Sequence, residues 1–155
     1  MNMEDLDFFA AMLGDPEVMR FYPQVDSRDE AAANIRRQLA RYAQHGYGPW
    51  LVLHKELDKP VGRVGLIHQV VEGQAETEVG YMIHRPYWRQ GLAFEAASAC
   101  RDYAFRVLGR KRVISLVRPE NTPSQAVARK LGMQPEREIM HWNLRHIVFA
   151  LPAPQ

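Results

Sequence analysis

The chain has one cysteine, Cys100, so no internal disulfide is available and a reducing cytoplasm is the expected compartment. It lacks any apolar run near the roughly 20 residues that a membrane-crossing helix needs. Its acidic first residues, MNMEDLD, have neither the basic start nor the apolar stretch of a signal peptide. Charge of one sign is also missing: 20 basic against 18 acidic side chains leave +2, too small a bias to imply a nucleic-acid partner. Repeats, low-complexity tracts and linkers are absent, so no domain boundary is expected. What is present, 155 residues with 46% apolar and 25% charged side chains, is the make-up of one ordinary globular domain.

Apolar spacing predicts a helix over Glu4–Leu13, with Leu6, Phe9, Ala10 and Leu13 on one stripe, stopped at Gly14-Asp15-Pro16. Ser27 and Glu30 form a capping box. It opens a helix with Ile35, Leu39 and Tyr42 inward and Arg36, Arg37 and Arg41 mostly on the other faces, as a solvated surface or else a dock for an acidic substrate; Gly46 and Gly48 end it. The period then falls to two. Trp50–His54, Val61–Val71 and Glu76–His84 read as three strands with short turns, an antiparallel meander. A helix follows from Leu92 to Leu108, its buried stripe carrying Ala93, Ala97, Cys100, Ala104 and Val107. Val113–Val117 is a strand and Asn121–Leu131 a helix. Glu138–Met140 and Asn143–Leu151 supply the last strands. The expected fold is mixed α/β, one sheet flanked by helices.

The stretch that carries most chemistry is a strand ending at His84, then Trp88-Arg89-Gln90-Gly91-Leu92-Ala93, then a helix. The first turn of a helix has backbone N–H groups without internal partners and the positive end of the helix dipole. Gly91 leaves room for an anion against the main chain, and Ala93 keeps the first turn slim. Arg85 and Arg89 flank it. Neither nucleotide-loop pattern is present, since there is no Gly-Lys-Ser/Thr and no Gly-x-Gly-x-x-Gly. No Gly-x-Ser-x-Gly elbow exists for hydrolase chemistry. His141 and His146, an odd distance apart, are expected on opposite strand faces, so no metal is expected. Cys100, on the buried stripe, is not a candidate nucleophile.

The run from Glu78 to Ala97 resembles the central motif of the GNAT acyl-CoA N-acyltransferases, in the branch that includes ribosomal-protein N-terminal acetyltransferases. Asn121-Thr122-Pro123-Ser124 with Arg129–Met133 is similar to that family's next motif, and Gly14–Tyr22 to an earlier one. The resemblance spans most of the chain from residue 4, in the family's order. It implies a single-domain, mostly antiparallel sheet in which the strand at Glu78–His84 splays from a parallel neighbour, Val113–Val117. It implies acetyl-CoA as co-substrate, with no metal. Backbone groups at Met82 and Ile83 would pair with its pantetheine arm. The N–H groups of Arg89, Gln90, Gly91, Leu92 and Ala93 would hold its pyrophosphate, and Asn121 would lie near the pantetheine or its thiol end.

Acyl transfer to an amine needs a base, a donor for the oxyanion and protonation of the leaving thiolate. Glu78, sharing a face with Glu76, Gly80 and Met82 by period two, is the expected base. Ser124 is the expected donor to the thiolate, because that branch places a serine there. The acceptor would be a primary amine, on a protein N-terminus or a small molecule. Three departures favour an alternative, a non-catalytic acyl-CoA-binding module. Trp88 stands where the family has glutamine or arginine, Ala128 stands where many relatives have tyrosine, and the family's first strand is missing before Glu4. Either the true start lies upstream or a sheet edge is missing, which would leave unpaired backbone or invite a partner strand, as in a homodimer.

Overall fold

The computed structural model describes residues 1–155. A 3₁₀ turn at Met3–Asp5 leads into α1 (Leu6–Leu13), followed by α2 (Arg28–His45), β1 (Pro49–His54), β2 (Lys59–Val71) and β3 (Gln74–Ile83). Then come α3 (Leu92–Arg106), β4 (Arg112–Val117), α4 (Thr122–Lys130), β5 (Gln134–His141) and β6 (Leu144–Pro152). The capping box forms as its spacing predicts: Glu30 N–H donates to Ser27 Oγ at 3.2 Å, and Ser27 N–H to Glu30 Oε2 at 2.6 Å. Gly46, at φ 75°, takes the left-handed turn that closes α2.

The six strands lie in the order β1-β2-β3-β4-β6-β5, antiparallel except for β3 and β4. Alternate residues of β3 serve two cores. Val79 and Ile83 pack with Ala97, Cys100 and Ala104 of α3, Ala128 of α4, and Val113 and Phe149. Met82 packs on the opposite face with Phe9, Met12 and Leu13 of α1 and Ile35 of α2. Helices on both faces of one mixed sheet are the architecture expected.

β2 and β3 stay in register over ten pairs, from Gly62↔Ile83 to Val71↔Gln74. β3 and β4 share a single bridge, Glu78↔Ile114. Beyond Glu78 the two parallel strands therefore part, leaving a wedge-shaped gap open toward the start of α3. No helix is long and apolar enough to cross a membrane.

Several details differ from the sequence expectations, and Val107, expected on the buried stripe of α3, is 64% exposed past the end of that helix. α3 ends at Arg106 rather than Leu108, because the chain turns through Gly109 at φ 61° with Arg110 N–H bonded to the Ala104 carbonyl. β5 begins at Gln134, four residues early. Pro135 is tolerated because β5 is an edge strand and its register shifts between Pro135 and Arg137. The rings of His141 and His146 lie on one face, 5.7 Å apart, instead of opposite faces. Parity applies within a strand, and these two residues sit on either side of a hairpin turn in which His141 pairs with Leu144.

Candidate active site

The gap is built from backbone. His84 N–H bonds the Val61 carbonyl at 2.8 Å, so by the alternation of an antiparallel ladder the polar groups of Met82 also face β2. Those of Val79, Tyr81 and Ile83 face β4. This corrects the expectation at Met82: the gap-facing groups belong to Tyr81 and Ile83. Two side chains occupy part of the edge. Ser115 Oγ donates to the Val79 carbonyl at 2.7 Å, and Trp88 Nε1 to the Ile83 carbonyl at 2.6 Å. Both Tyr81 backbone groups and Ile83 N–H are left facing the gap.

Glu78 sits where the strands part, with 8% of its surface exposed. Gln69 Nε2 donates to its Oε2 at 2.7 Å, and the Leu116 backbone N–H also donates to the carboxylate. Burial raises its pKa above the ordinary carboxylate value. The Gln69 and Leu116 hydrogen bonds and the charge of Arg41 offset this only in part. This carboxylate has two hydrogen-bond donors and no ion-pair partner, and its burial disfavours the charged form.

Across the sheet, Tyr81 Oη donates to the Ser124 carbonyl at 2.8 Å, and Ser124 Oγ approaches Tyr81 Oη at 3.3 Å. Burial pushes the Tyr81 phenol up to about 12, so it stays protonated at any working pH. Asn121 caps α4: its Oδ1 accepts from Ser124 N–H at 3.1 Å, leaving Nδ2 as its free donor end. Ser124 is thus fixed at its amide and carbonyl, while its hydroxyl keeps only one long contact.

The start of α3 lies at the mouth of the gap. Gly91, at φ 78°, is its N-cap, and no side chain caps the helix. A Cβ at Gly91 would meet nothing within 4 Å, so the turn is open to an approaching group. Arg89 also takes a positive φ of 61°, at a cost of about 1 kcal/mol for a side-chain-bearing residue. Arg89, Gln90 and Gly91 are exposed; Leu92 and Ala93 are half-buried. Arg85 is held by Asp15 at 3.0 Å, whereas Arg89 has no ion-pair partner. These uncapped amides, the adjacent free arginine and the gap suit a long, phosphate-ended, amide-bearing molecule such as coenzyme A.

Cys100 is buried and its thiol is pushed up to about 11, which removes it as a nucleophile. A surface recess of about 380 Å³, lined by Asp102, Phe105 and Arg106, lies along the last turns of α3, at the other end of that helix from the gap. Its breadth carries no chemistry; the gap does. Sequence reasoning did not find Gln69, Ser115 or Arg63. Gln69 was visible only through the hairpin register, which puts it opposite Glu76 and diagonal to Glu78.

The profile of the "Acetyltransferase (GNAT) domain" matches residues 1–134. A Bacillus subtilis (strain 168) relative, "Uncharacterized protein YkkB", is 32% identical over 144 residues, covering 91% of this chain and 84% of the relative. The crystal structure of an acetyltransferase from Agrobacterium tumefaciens superposes with a TM-score of 0.83 at 24% identity, covering 97% of this chain and 86% of that one. RimL, a ribosomal L7/L12 alpha-N-protein acetyltransferase in complex with coenzyme A, superposes with a TM-score of 0.79 at 16% identity, over 99% of this chain and 91% of that one. At those identities the two structures speak for the fold alone. The domain match, spanning most of the chain, goes further: this protein belongs to the GNAT family of acetyltransferases, which use acetyl-CoA.

Proposed function

We propose that the protein moves the acetyl group of acetyl-CoA to a primary amine by direct attack, with Glu78 as the base. The observation that carries this reading is the Glu78 carboxylate, buried and unpaired by any cation, at the last bridge before β3 and β4 part. Acetyl-CoA supplies the thioester. Its pyrophosphate rests on the amides of Arg89–Ala93, and its amide-bearing arm lies along Tyr81 and Ile83 as an added strand. Asn121 Nδ2 lies at the thiol end.

The chain's own residues then divide the proton work. An amine arrives protonated at neutral pH and must lose a proton before its lone pair is available. Glu78, with its pKa raised by burial, takes that proton directly or through one water. A backbone N–H facing the gap, at Tyr81 or Ile83, stabilises charge as it develops on the carbonyl oxygen. Ser124 Oγ serves the leaving sulfur. A thiol is a stronger acid, near pKa 8.5, than any aliphatic hydroxyl or than Tyr81 at about 12, so neither hydroxyl surrenders its proton to the thiolate. They lend hydrogen bonds, and the proton shed by the attacking nitrogen neutralises the sulfur.

The competing reading, a binding module without turnover, is favoured by Trp88, whose indole blocks the Ile83 carbonyl that an arm would otherwise use. One assay separates the two. Acetyl-CoA is offered with peptides, aminoglycosides and polyamines, and free thiol is measured. Amine-dependent thiol release is expected. Saturable acetyl-CoA binding with no thiol release across the panel would leave the module.

A further inference from the structure

Six arginines are half-buried: Arg41, Arg63, Arg101, Arg112, Arg118 and Arg137. Four of them have carboxylate partners, Asp102, Glu76 with Glu136, Glu120, and Glu72. The two without an ion-pair partner, Arg41 and Arg63, stand together on the Glu78 face of the sheet. Arg63 lies opposite Met82 in the β2–β3 register, so it shares that face with Glu78. A relay of neutral amides joins the pair. Arg63 Nη1 donates to Asn34 Oδ1 at 2.7 Å, Gln38 Nε2 donates to the same oxygen at 3.0 Å, and Arg41 Nη1 donates to Gln38 Oε1 at 3.0 Å.

Each guanidinium has five N–H donors and uses one nitrogen here. Their remaining nitrogens are neither bonded nor sealed from solvent. Partial burial of two like charges is costly, and here no carboxylate offsets it at close range. Arg37, the carboxylates of Asp26 and Glu78, and the Tyr22 phenol, which burial keeps protonated, also bear on the pair. Three guanidiniums outnumber two carboxylates even when Glu78 is ionised to act as a base. The net field between α2 and the sheet is therefore positive, an unsuitable lining for a polycation and a suitable one for an oxyanion.

We propose that the amine acceptor is a small molecule that carries its own carboxylate or phosphate, gripped by Arg41 and Arg63 while its amine faces Glu78. This deepens the acetyl-transfer reading and rests on it. The pair is recessed between a helix and the sheet, which suits a compact anion. Arginine forks bind such groups with charge-assisted hydrogen bonds.

The test compares matched acceptors by thiol release: 4-aminobutyrate against its amide, 2-aminoethyl phosphate against ethanolamine, and spermidine. At least one anionic acceptor is expected to exceed its neutral partner in kcat/KM by about 10- to 100-fold, the scale of a charge-assisted hydrogen bond. Whichever pair shows the larger ratio tells carboxylate from phosphate. Arg63→Gln or Arg41→Gln should bring that ratio close to one through KM, and Arg63→Lys should restore part of it. Neutral amines or spermidine matching or outpacing the anionic ones in the unaltered enzyme would overturn the anion reading while leaving acetyl transfer standing. So would a ratio that neither glutamine variant changes. Thiol release with no acceptor at all would overturn both readings.

Discussion

Tyr81 and Ser124 hold each other across the end of the gap: the phenol donates to the Ser124 carbonyl at 2.8 Å, and the serine hydroxyl approaches the phenol oxygen at 3.3 Å. The short bond fixes the serine's backbone, and the long one leaves its hydroxyl free to turn toward a sulfur. Residues that act as such a unit are not additive. Ser124→Ala and Tyr81→Phe should each lower kcat by roughly 10- to 100-fold, somewhat less than a lost oxyanion-hole donor. The double variant should lose little more than the worse single one. Steady-state thiol release from the three variants checks this, and fully multiplied losses would separate the two residues.

The open turn at Gly91 makes a second expectation. Gly91→Glu places a carboxylate where the pyrophosphate is assigned, and nothing in the protein obstructs that side chain. The positive φ of 78° adds about 1 kcal/mol of backbone strain, so a modest drop in Tm is expected from any side chain there. Gly91→Ala carries the same strain without the charge and serves as the control. Acetyl-CoA should stabilise Gly91→Ala in a thermal-shift measurement and fail to stabilise Gly91→Glu. Equal stabilisation of both would move the phosphate site elsewhere.

Burial of Glu78 should also appear in stability. Its pKa is raised in the folded state, chiefly by desolvation, so the folded protein binds that proton more tightly than the unfolded chain. Stability from this group is therefore present below the ordinary carboxylate pKa and is lost as pH rises through the raised value. Glu78→Gln removes the charge and keeps an acceptor for Gln69 or Leu116. The variant's Tm, relative to the parent, should rise as the pH climbs above the ordinary carboxylate pKa. A difference that stays flat with pH would mean that Glu78 titrates like a solvated carboxylate.

Local rules made much of the fold legible. The Ser27–Glu30 box, the glycines at 46, 91 and 109, and the change of period at Trp50 each act within a few residues. What escaped depends on partners far along the chain. Which edge of β3 carries free backbone groups is decided by its pairing with β2, so Met82 was assigned to the gap when Tyr81 belongs there. Ser115 reads as one more strand residue until its parallel neighbour brings the Val79 carbonyl within 2.7 Å. Arg63 reads as one more polar residue in a mostly apolar strand, and only the packing of α2 over β2 joins it to Asn34 and, through Gln38, to Arg41. Glu78 and Ser124 were named from the family resemblance and their own strand and helix positions. Their surroundings, Gln69 and Tyr81, required the assembled sheet.

The proposed chemistry rests on Glu78 as the proton acceptor, and the pH dependence of turnover tests it directly. With a fixed amine and saturating acetyl-CoA, kcat/KM for the parent should rise as Glu78 ionises at its raised pKa. Glu78→Gln should lose that limb and lie roughly 10²- to 10⁴-fold below the parent near neutral pH, the usual contribution of a positioned base. The deficit should shrink at higher pH, where more of the amine arrives deprotonated, while acetyl-CoA affinity stays unchanged. Full turnover by Glu78→Gln at neutral pH, or a deficit that does not change with pH, would contradict the assignment.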